Sequence, residues 1–182
     1  MEYIGNDSLI KKIILDVLRP ISFNTNTHRL ILIELSFFKS LYELKSMLDL
    51  YQKENRNTYI LFIQPSIVIL PLFAGTYVNL HAPVSVWKKK LNQLAVQKKH
   101  RIDNIISRCE EILQQKIFTA TECKVIELIA YNLNVKATSQ QSRLSITHVY
   151  RILQNINMKL NMPGLHHLIL YLKNEYTMLH DV

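Results

Sequence analysis

Two short, continuous apolar runs in the first half of the chain restrict its fold more than any other feature. Leu30–Leu35 contains a single acid, Glu34, and Tyr59–Ile63 contains no charged residue. Strands that are buried on both faces of a parallel sheet have this pattern, because helices cover both of their sides. Tyr77–Leu80 predicts a further strand, and helical patterns lie between the runs. The alternation predicts a small parallel α/β sheet with covering helices.

Amphipathic helices are predicted around these strands. The first runs over 7–18, and Ile21–Phe23 is a short strand candidate after it. Ser36 is a suitable N-cap for the next helix. Two more helical patterns begin after Pro83 and at Gln97. The apolar positions of these last three helices are Leu41, Leu44, Leu48 and Tyr51; Trp87, Leu91, Leu94 and Ala95; and Ile102, Ile105, Ile106, Cys109 and Ile112.

The charge of the chain is concentrated in its second half. Residues 1–83 carry eight basic and seven acidic side chains, a net charge of +1, whereas residues 84–182 carry fourteen and seven, a net charge of +7. This asymmetry predicts two domains, of which the second has a polyanionic partner. We predict an α/β domain over 1–97, a helical linker over 98–115 and an all-α domain over 116–182.

A helix over Ser145–Ile156 carries the strongest functional signal. Ser145 is a good N-cap, because its hydroxyl can accept a hydrogen bond from a free amide of the first turn. Apolar residues recur behind it at helical spacing and predict a buried stripe: Val149, Ile152, Leu153, Ile156 and Leu160. The other face offers hydroxyls, an amide and a guanidinium, from Thr147, Tyr150, Arg151 and Gln154. Such a helix suits the major groove of DNA, although an ordinary amphipathic surface helix remains the alternative.

The residues around this helix favour DNA over the ordinary surface helix. No Asp or Glu lies between Glu127 and Glu175. The same interval contains Lys136, Arg143, Arg151, Lys159 and Lys173. An acid-free basic stretch lowers repulsion from phosphates, so that counterion release can drive binding. Lys88–Lys90 and Lys98–Arg101 are further basic clusters, which are either solvated helix faces or additional phosphate contacts.

The C-terminal motifs resemble the LuxR/NarL (GerE-type) helix-turn-helix domain of bacterial transcription regulators. Phe118-Thr119-Ala120-Thr121-Glu122 and Val125–Ala130 correspond to the family's Leu-Thr-x-x-Glu and Val-Leu-x-Leu-x-Ala, and Thr119 with Glu122 has capping-box spacing. Further matches to the family pattern are Ser145, His148 and Val149, followed by Ile156, Lys159 and Leu160. The second helix departs from the pattern: it reads Thr138-Ser139 for Ile-Ala and Ser142 for Leu, so it is unusually polar.

This resemblance implies a four-helix DNA-binding domain that acts on double-stranded DNA, as a homodimer or as a heterodimer with another regulator. It implies a groove face formed by Thr147, Tyr150, Arg151 and Gln154, on a recognition helix that Ser145 caps at the DNA-binding end. His148, near the start of this helix, either touches phosphate or packs internally. It also implies phosphate contacts from Lys136, Arg143 and Lys159. The last helix, from Leu165, is either a dimer surface or packs within its own domain.

The first half resembles a degenerate, CheY-like receiver domain of a response regulator. The phosphorylatable Asp of receivers aligns with Glu34, the Ser/Thr that ends the fourth strand aligns with Gln64, and the Lys-Pro aligns with Ala82-Pro83. Of the acidic pair after the first strand, only Asp7 is nearby. The groups that hold magnesium and the phosphoryl group are therefore nearly all missing, which implies control without phosphorylation. Glu34 is either a strand-end carboxylate near solvent or a mimic of phospho-aspartate.

The predicted function is sequence-specific transcription regulation, and the alternative is a co-regulator that acts mainly by protein-protein interaction. No catalytic motif, metal-ligand spacing or phosphate loop is present, so we expect no enzyme and no cofactor. Two cysteines and no signal peptide favour a reduced, cytoplasmic protein. Tyr59–Gly75 raises a third alternative, a membrane-tethered regulator, but Pro65 and Pro71 interrupt this run and favour strands instead.

Overall fold

Four parallel strands build a single sheet in the computed structural model, which describes residues 2–5, 11, 29–54, 58–64, 70–71, 73, 75–94, 100–131 and 134–180. The strands are β1 (Glu2–Ile4), β2 (Arg29–Glu34), β3 (Thr58–Gln64) and β4 (Tyr77–Asn79), in the order β1-β2-β3-β4. All three neighbouring pairs are parallel. The predicted helix over 7–18 and the strand candidate Ile21–Phe23 lie outside the described residues, except for Lys11.

Both faces of β2 and β3 are covered, as their continuous apolar sequences predict. Successive side chains of a strand point to opposite faces. Ile31, Ile33, Ile60 and Phe62 therefore belong to one apolar cluster, and the alternate residues Leu30, Leu32, Tyr59 and Leu61 belong to the other. The second cluster is completed by a helix that carries Trp87, Leu91 and Leu94, all buried. Removing this much apolar surface from water is the main contribution to the stability of the sheet.

Three helices pack on this sheet. They are α1 (Leu41–Glu54), α2 (Val84–Leu94) and α3 (Ile102–Leu113). The sheet and these helices are called the front unit below. The helix α3 was predicted as a linker, and its apolar stripe is buried as expected. It packs against α1 and contacts β3.

Four helices follow and are called the C-terminal unit: α4 (Ala120–Ala130), α5 (Val135–Ser142), α6 (Ile146–Lys159) and α7 (Leu165–His180). Thr119 and Glu122 form the predicted capping box at the start of α4. Asn134 caps α5, because its side-chain oxygen accepts a hydrogen bond from the Ala137 N–H. The last helix packs on α4 and α6, with Leu168, Tyr171 and Leu172 buried. The last helix thus packs within its own unit, and its role as a dimer surface stays a prediction.

A buried carboxylate joins the two units. Glu175 of α7 accepts hydrogen bonds from the backbone N–H groups of Leu41, at 2.6 Å, and Tyr42, at 3.0 Å. These are free donors of the first turn of α1, which no intrahelical partner can satisfy. Only 4% of Glu175 is exposed. The C-terminal helix therefore caps a helix of the front unit 134 positions earlier in the chain.

Two local expectations are corrected by the structure. Ser36 does not cap α1: it lies in a 3-10 turn, Leu35–Phe37, and its hydroxyl donates to Glu34. Ser40 takes the capping role, since its hydroxyl accepts from the Glu43 N–H.

The apolar run considered as a membrane segment begins with β3, a central strand of the sheet. Among the described residues, no helix is long and apolar enough to cross a membrane.

Candidate nucleic-acid interface

The polar face of α6 is exposed and its apolar stripe is buried, as the sequence predicted. The Ser145 hydroxyl accepts a hydrogen bond from the His148 N–H and starts the helix. The stripe residues Val149, Ile152, Leu153, Ile156 and Leu160 are between 0 and 5% exposed. The side chains of Thr147, Tyr150, Arg151 and Gln154 are all exposed. The structure thus brings the four predicted groove residues together on one open face, uncovered by the described front unit.

Ile146 extends this face and was not singled out from the sequence. It is 46% exposed and lies one turn before Tyr150, which is 47% exposed. An exposed apolar side chain in the first turn could contact a thymine methyl group in a major groove. Spacing did not single it out, because Ile146 precedes Val149 by three positions and Leu153 by seven, which continues the spacing of the apolar stripe.

The turn between α5 and α6 depends on Arg143. This residue ends α5 in the left-handed conformation, with φ 58° and ψ 31°, where glycine is usual. Its N–H group donates to the Gln140 carbonyl, and its side chain is exposed. The Ser139 hydroxyl donates to the Leu144 carbonyl and fixes the other side of the turn. A polar side chain of α5, Ser139, therefore bonds across this turn.

The first turns of α5 and α6 contain no acid. A helix N-terminus carries a partial positive charge and free N–H groups, which favour anions such as phosphates. Lys136 is exposed in the first turn of α5, a position that the helix dipole disfavours for a cation. His148, half-buried in the first turn of α6, adds a polar group near the same end. These positions fit the predicted contacts of Lys136 and Arg143 with a DNA backbone.

Lys159 has a different environment from the other candidate cations. Its ammonium donates to Glu122 Oε2 at 2.6 Å and to the Ile117 carbonyl at 3.1 Å. Glu122 is also an acceptor of the capping box, from the Thr119 N–H at 2.7 Å. Burial raises the pKa of Glu122, but hydrogen bonds from Lys159 and Thr119 outweigh this effect and hold the pKa below its usual value. The charge of Lys159 thus stabilises the start of α4.

The pairing of Lys159 predicts a contrast with Lys136. Lys136→Gln is expected to reduce the slope of log K against log salt for DNA binding by about 1, without changing stability. Lys159→Gln is expected to lower the free energy of unfolding by about 2 kcal/mol, because the nearly buried Glu122 loses its cation. Urea denaturation and DNA titrations of both variants measure these effects. If both variants reduced the slope of log K against log salt equally and neither changed stability, the assignment of Lys159 to the stabilisation of Glu122 would be contradicted.

The carboxyl edge of the sheet is occupied by hydrogen-bonded side chains. Glu34 accepts from the Tyr3 hydroxyl at 2.7 Å and from the Ser36 hydroxyl at 2.5 Å. It is 8% exposed, so the expectation of a strand-end carboxylate near solvent is wrong. Gly5 lies so close that an added Cβ would overlap the Tyr3 hydroxyl and the Glu34 carboxylate. The described residues contain no cluster of three or more acidic, His or Cys side chains that could hold a metal; Asp7 lies outside them.

The basic cluster before α3 is not a continuous solvated face. His100 is fully buried, and its Nδ1 lies 3.2 Å from the Ile60 carbonyl. Since a carbonyl only accepts hydrogen bonds, Nδ1 carries the proton and donates. Arg101 pairs with Asp103 at 3.0 Å. Lys98 and Lys99 lie outside the described residues. The buried His100 therefore anchors the start of α3 to β3, whereas the Arg101–Asp103 pair is partly exposed.

Solved structures of response regulators are similar to this chain over nearly its full length. The two-component response regulator RcsB in complex with DNA covers 95% of this chain and 96% of its own, with a TM-score of 0.60 and 16% identity. RcsB from Salmonella enterica serovar Typhimurium, bound to the promoter rprA with phosphomimetic BeF3−, covers 94% and 96%, with a TM-score of 0.39 and 15% identity. FixJ from B. japonicum covers 95% and 95%, with a TM-score of 0.34 and 12% identity.

The first of these likenesses defines the class of fold. The chain is similar in fold to this RcsB structure: in the described residues, a parallel sheet with covering helices is followed by four further helices. The sequence itself matches no protein-family model and no curated protein.

Proposed function

We propose that the protein is a transcription regulator of the LuxR/NarL type, which reads double-stranded DNA with α6. The observation that carries this proposal is the exposed, acid-free face of α6 above a fully buried stripe. In this proposal α4–α7 form the helix-turn-helix domain, and α5 with the turn at Arg143 supports α6. Side chains of Thr147, Tyr150, Arg151 and Gln154 contact base edges, which is the mode by which a helix in the major groove specifies sequence.

Charge and fold support DNA as the partner. The second half of the chain carries the excess positive charge, and its described residues 134–174, which include α5 and α6, contain no acid. The similar RcsB structure is that of a DNA complex. Lys136, Arg143 and the N-termini of α5 and α6 supply the phosphate contacts that fix the position of α6. The protein acts as a dimer, with itself or with another regulator, and the proposal includes neither catalysis nor a cofactor.

A salt series tests DNA binding most simply. Fluorescence anisotropy with genomic fragments is expected to give a log K that falls linearly with log salt, by about 0.9 for each phosphate contact. With two or three contacts for each protomer of a dimer, the slope should lie at roughly −4 to −5. A folded protein with no measurable binding would instead favour the co-regulator alternative, and a search for a partner regulator would follow.

We further propose that the receiver-like unit is not phosphorylated. The residue in the place of the phosphorylatable Asp is Glu34, which is buried and already bound by two hydroxyls. Incubation with acetyl phosphate and Mg²⁺ is therefore expected to leave the intact mass unchanged, while a typical receiver treated in parallel gains a phosphoryl group. Phosphoryl adduct on any acid of the front unit would contradict this proposal.

A further inference from the structure

A cleft lies where the front unit meets the end of α6. It has a volume of about 330 Å³ and is open to solvent on one side. Three segments line it: the chain that leads into β4, the helix α3 and the C-terminus of α6. Ligand sites are commonly of this size and occur preferentially between domains. A molecule in this cleft would contact both units at once.

The lining combines an apolar floor with a basic rim. The floor consists of Phe73, Ile105, Ile112 and Leu160, all of them buried. Arg108 and Lys159 are the charged residues among the described lining, which includes no acid. Such a lining suits an organic anion, because the apolar part of the ligand can pack on the floor while its anionic group binds a basic side chain of the rim.

Arg108 is the cation that a ligand can recruit. Its guanidinium donates to the Glu111 carboxylate at 2.8 Å and, at the longer distance of 3.5 Å, to the Lys159 carbonyl. The side chains of the Arg108–Glu111 pair are about half exposed, at 40% and 47%. An exposed ion pair of this kind contributes little stability, so its exchange for a ligand carboxylate costs little. Lys159, in contrast, is committed to the nearly buried Glu122. The planar guanidinium also suits a carboxylate, which it can bind with two parallel hydrogen bonds.

We propose that this cleft binds a small monocarboxylate with an aromatic or branched apolar body, held by Arg108 through its carboxylate. Because the cleft bridges α3 and the end of α6, an occupied cleft stabilises the packing of the two units and changes the affinity for DNA. The regulatory half of this inference rests on the proposed DNA-binding function, whereas the binding half stands without it. Such a ligand supplies an input signal to a receiver-like unit that lacks the phosphorylation groups.

Three compounds, added to the full chain at constant ionic strength, separate the contributions of the negative charge and the aromatic ring to binding. Benzoate has both, benzyl alcohol has only the ring, and acetate has only the charge. Benzoate is expected to bind saturably in the millimolar range and to raise the melting temperature, whereas acetate and benzyl alcohol have no such effect. Methyl signals of Ile105, Ile112, Leu160 and Met158 should shift with benzoate in nuclear magnetic resonance spectra. Shifts confined to methyl groups elsewhere would overturn the site, as would equal effects of the three compounds.

Two variants complete the test. Arg108→Gln is expected to weaken benzoate binding about tenfold, since a charge-assisted hydrogen bond is lost. Arg101→Gln is the matched control, because Arg101 is also a paired arginine next to α3 but does not line the cleft. Equal benzoate affinities of Arg108→Gln and the wild type would refute the assignment. Benzoate binding without any effect on DNA affinity would refute the regulatory half alone, and an absence of DNA binding would count against the proposed function alone.

Discussion

The double variant Arg151→Ala/Gln154→Ala is expected to lose about 3 kcal/mol, roughly a hundredfold, in affinity for a preferred DNA fragment. Both side chains are exposed on α6, and neither belongs to the buried stripe that holds the helix in place. Removing a base-edge contact costs about 1–3 kcal/mol, so two such contacts account for the expected size. Affinity for unrelated fragments should change much less, since it depends on phosphate contacts.

Lys53→Ala provides the control for this experiment. Lys53 is exposed at the end of α1, in the front unit, and its loss also removes one positive charge. It should leave the ratio of specific to nonspecific affinity unchanged. Melting temperatures of all three proteins must agree, because a folding defect would reduce both affinities together. An equal loss of affinity for every fragment would show that Arg151 and Gln154 contact phosphates and do not read bases.

The variant Glu175→Ala is expected to lower the free energy of unfolding by about 2–4 kcal/mol. It leaves the N–H groups of Leu41 and Tyr42 without their acceptor, and an unsatisfied buried donor costs about 1–3 kcal/mol. It also removes a side chain that is only 4% exposed. Urea denaturation measures the change. Glu127→Ala, at an exposed position of α4, should cost much less, and an equal effect of the two variants would contradict the capping role.

The same carboxylate predicts a pH dependence of stability. Burial raises the pKa of Glu175, although the backbone N–H groups of Leu41 and Tyr42 act against this, and Glu43 adds to the rise. Between the unfolded value of 4.5 and this higher pKa, the folded protein binds more protons than the unfolded chain. Stability contributed by Glu175 therefore falls as pH rises through this window. Glu175→Gln should flatten the dependence in denaturation curves, and an unchanged slope would contradict the shifted pKa.

Patterns that repeat locally were predictable from the sequence. The strands β2 and β3 are continuous apolar runs, so burial on both faces followed directly. The face of α6 was predictable because Ser145 fixes the start of the helix and the stripe fixes its rotation. The capping box of Thr119 and Glu122 is likewise a contact between residues three positions apart. Each of these features depends on spacing alone.

Features that depend on distant residues were not predictable in the same way. Glu34 resembled a solvent-facing carboxylate, but parallel pairing brings β1 and the Tyr3 hydroxyl beside it. Lys159 was predicted to contact phosphate, and its spacing did not reveal that the fold also pairs it with Glu122, 37 positions earlier. The bond between Glu175 and Leu41 spans 134 positions. In each case the tertiary fold determines the partner, and the local sequence pattern around either residue does not reveal it.

The ratio of DNA affinities tests the central claim most directly. The affinity for a preferred genomic fragment should be compared with that for an unrelated fragment of equal length, at physiological salt and with the purified full chain. A protein that reads bases through α6 is expected to prefer its site by a factor of at least about 10³. A ratio near one, or no binding to either fragment, would contradict the proposal that this chain reads DNA by itself.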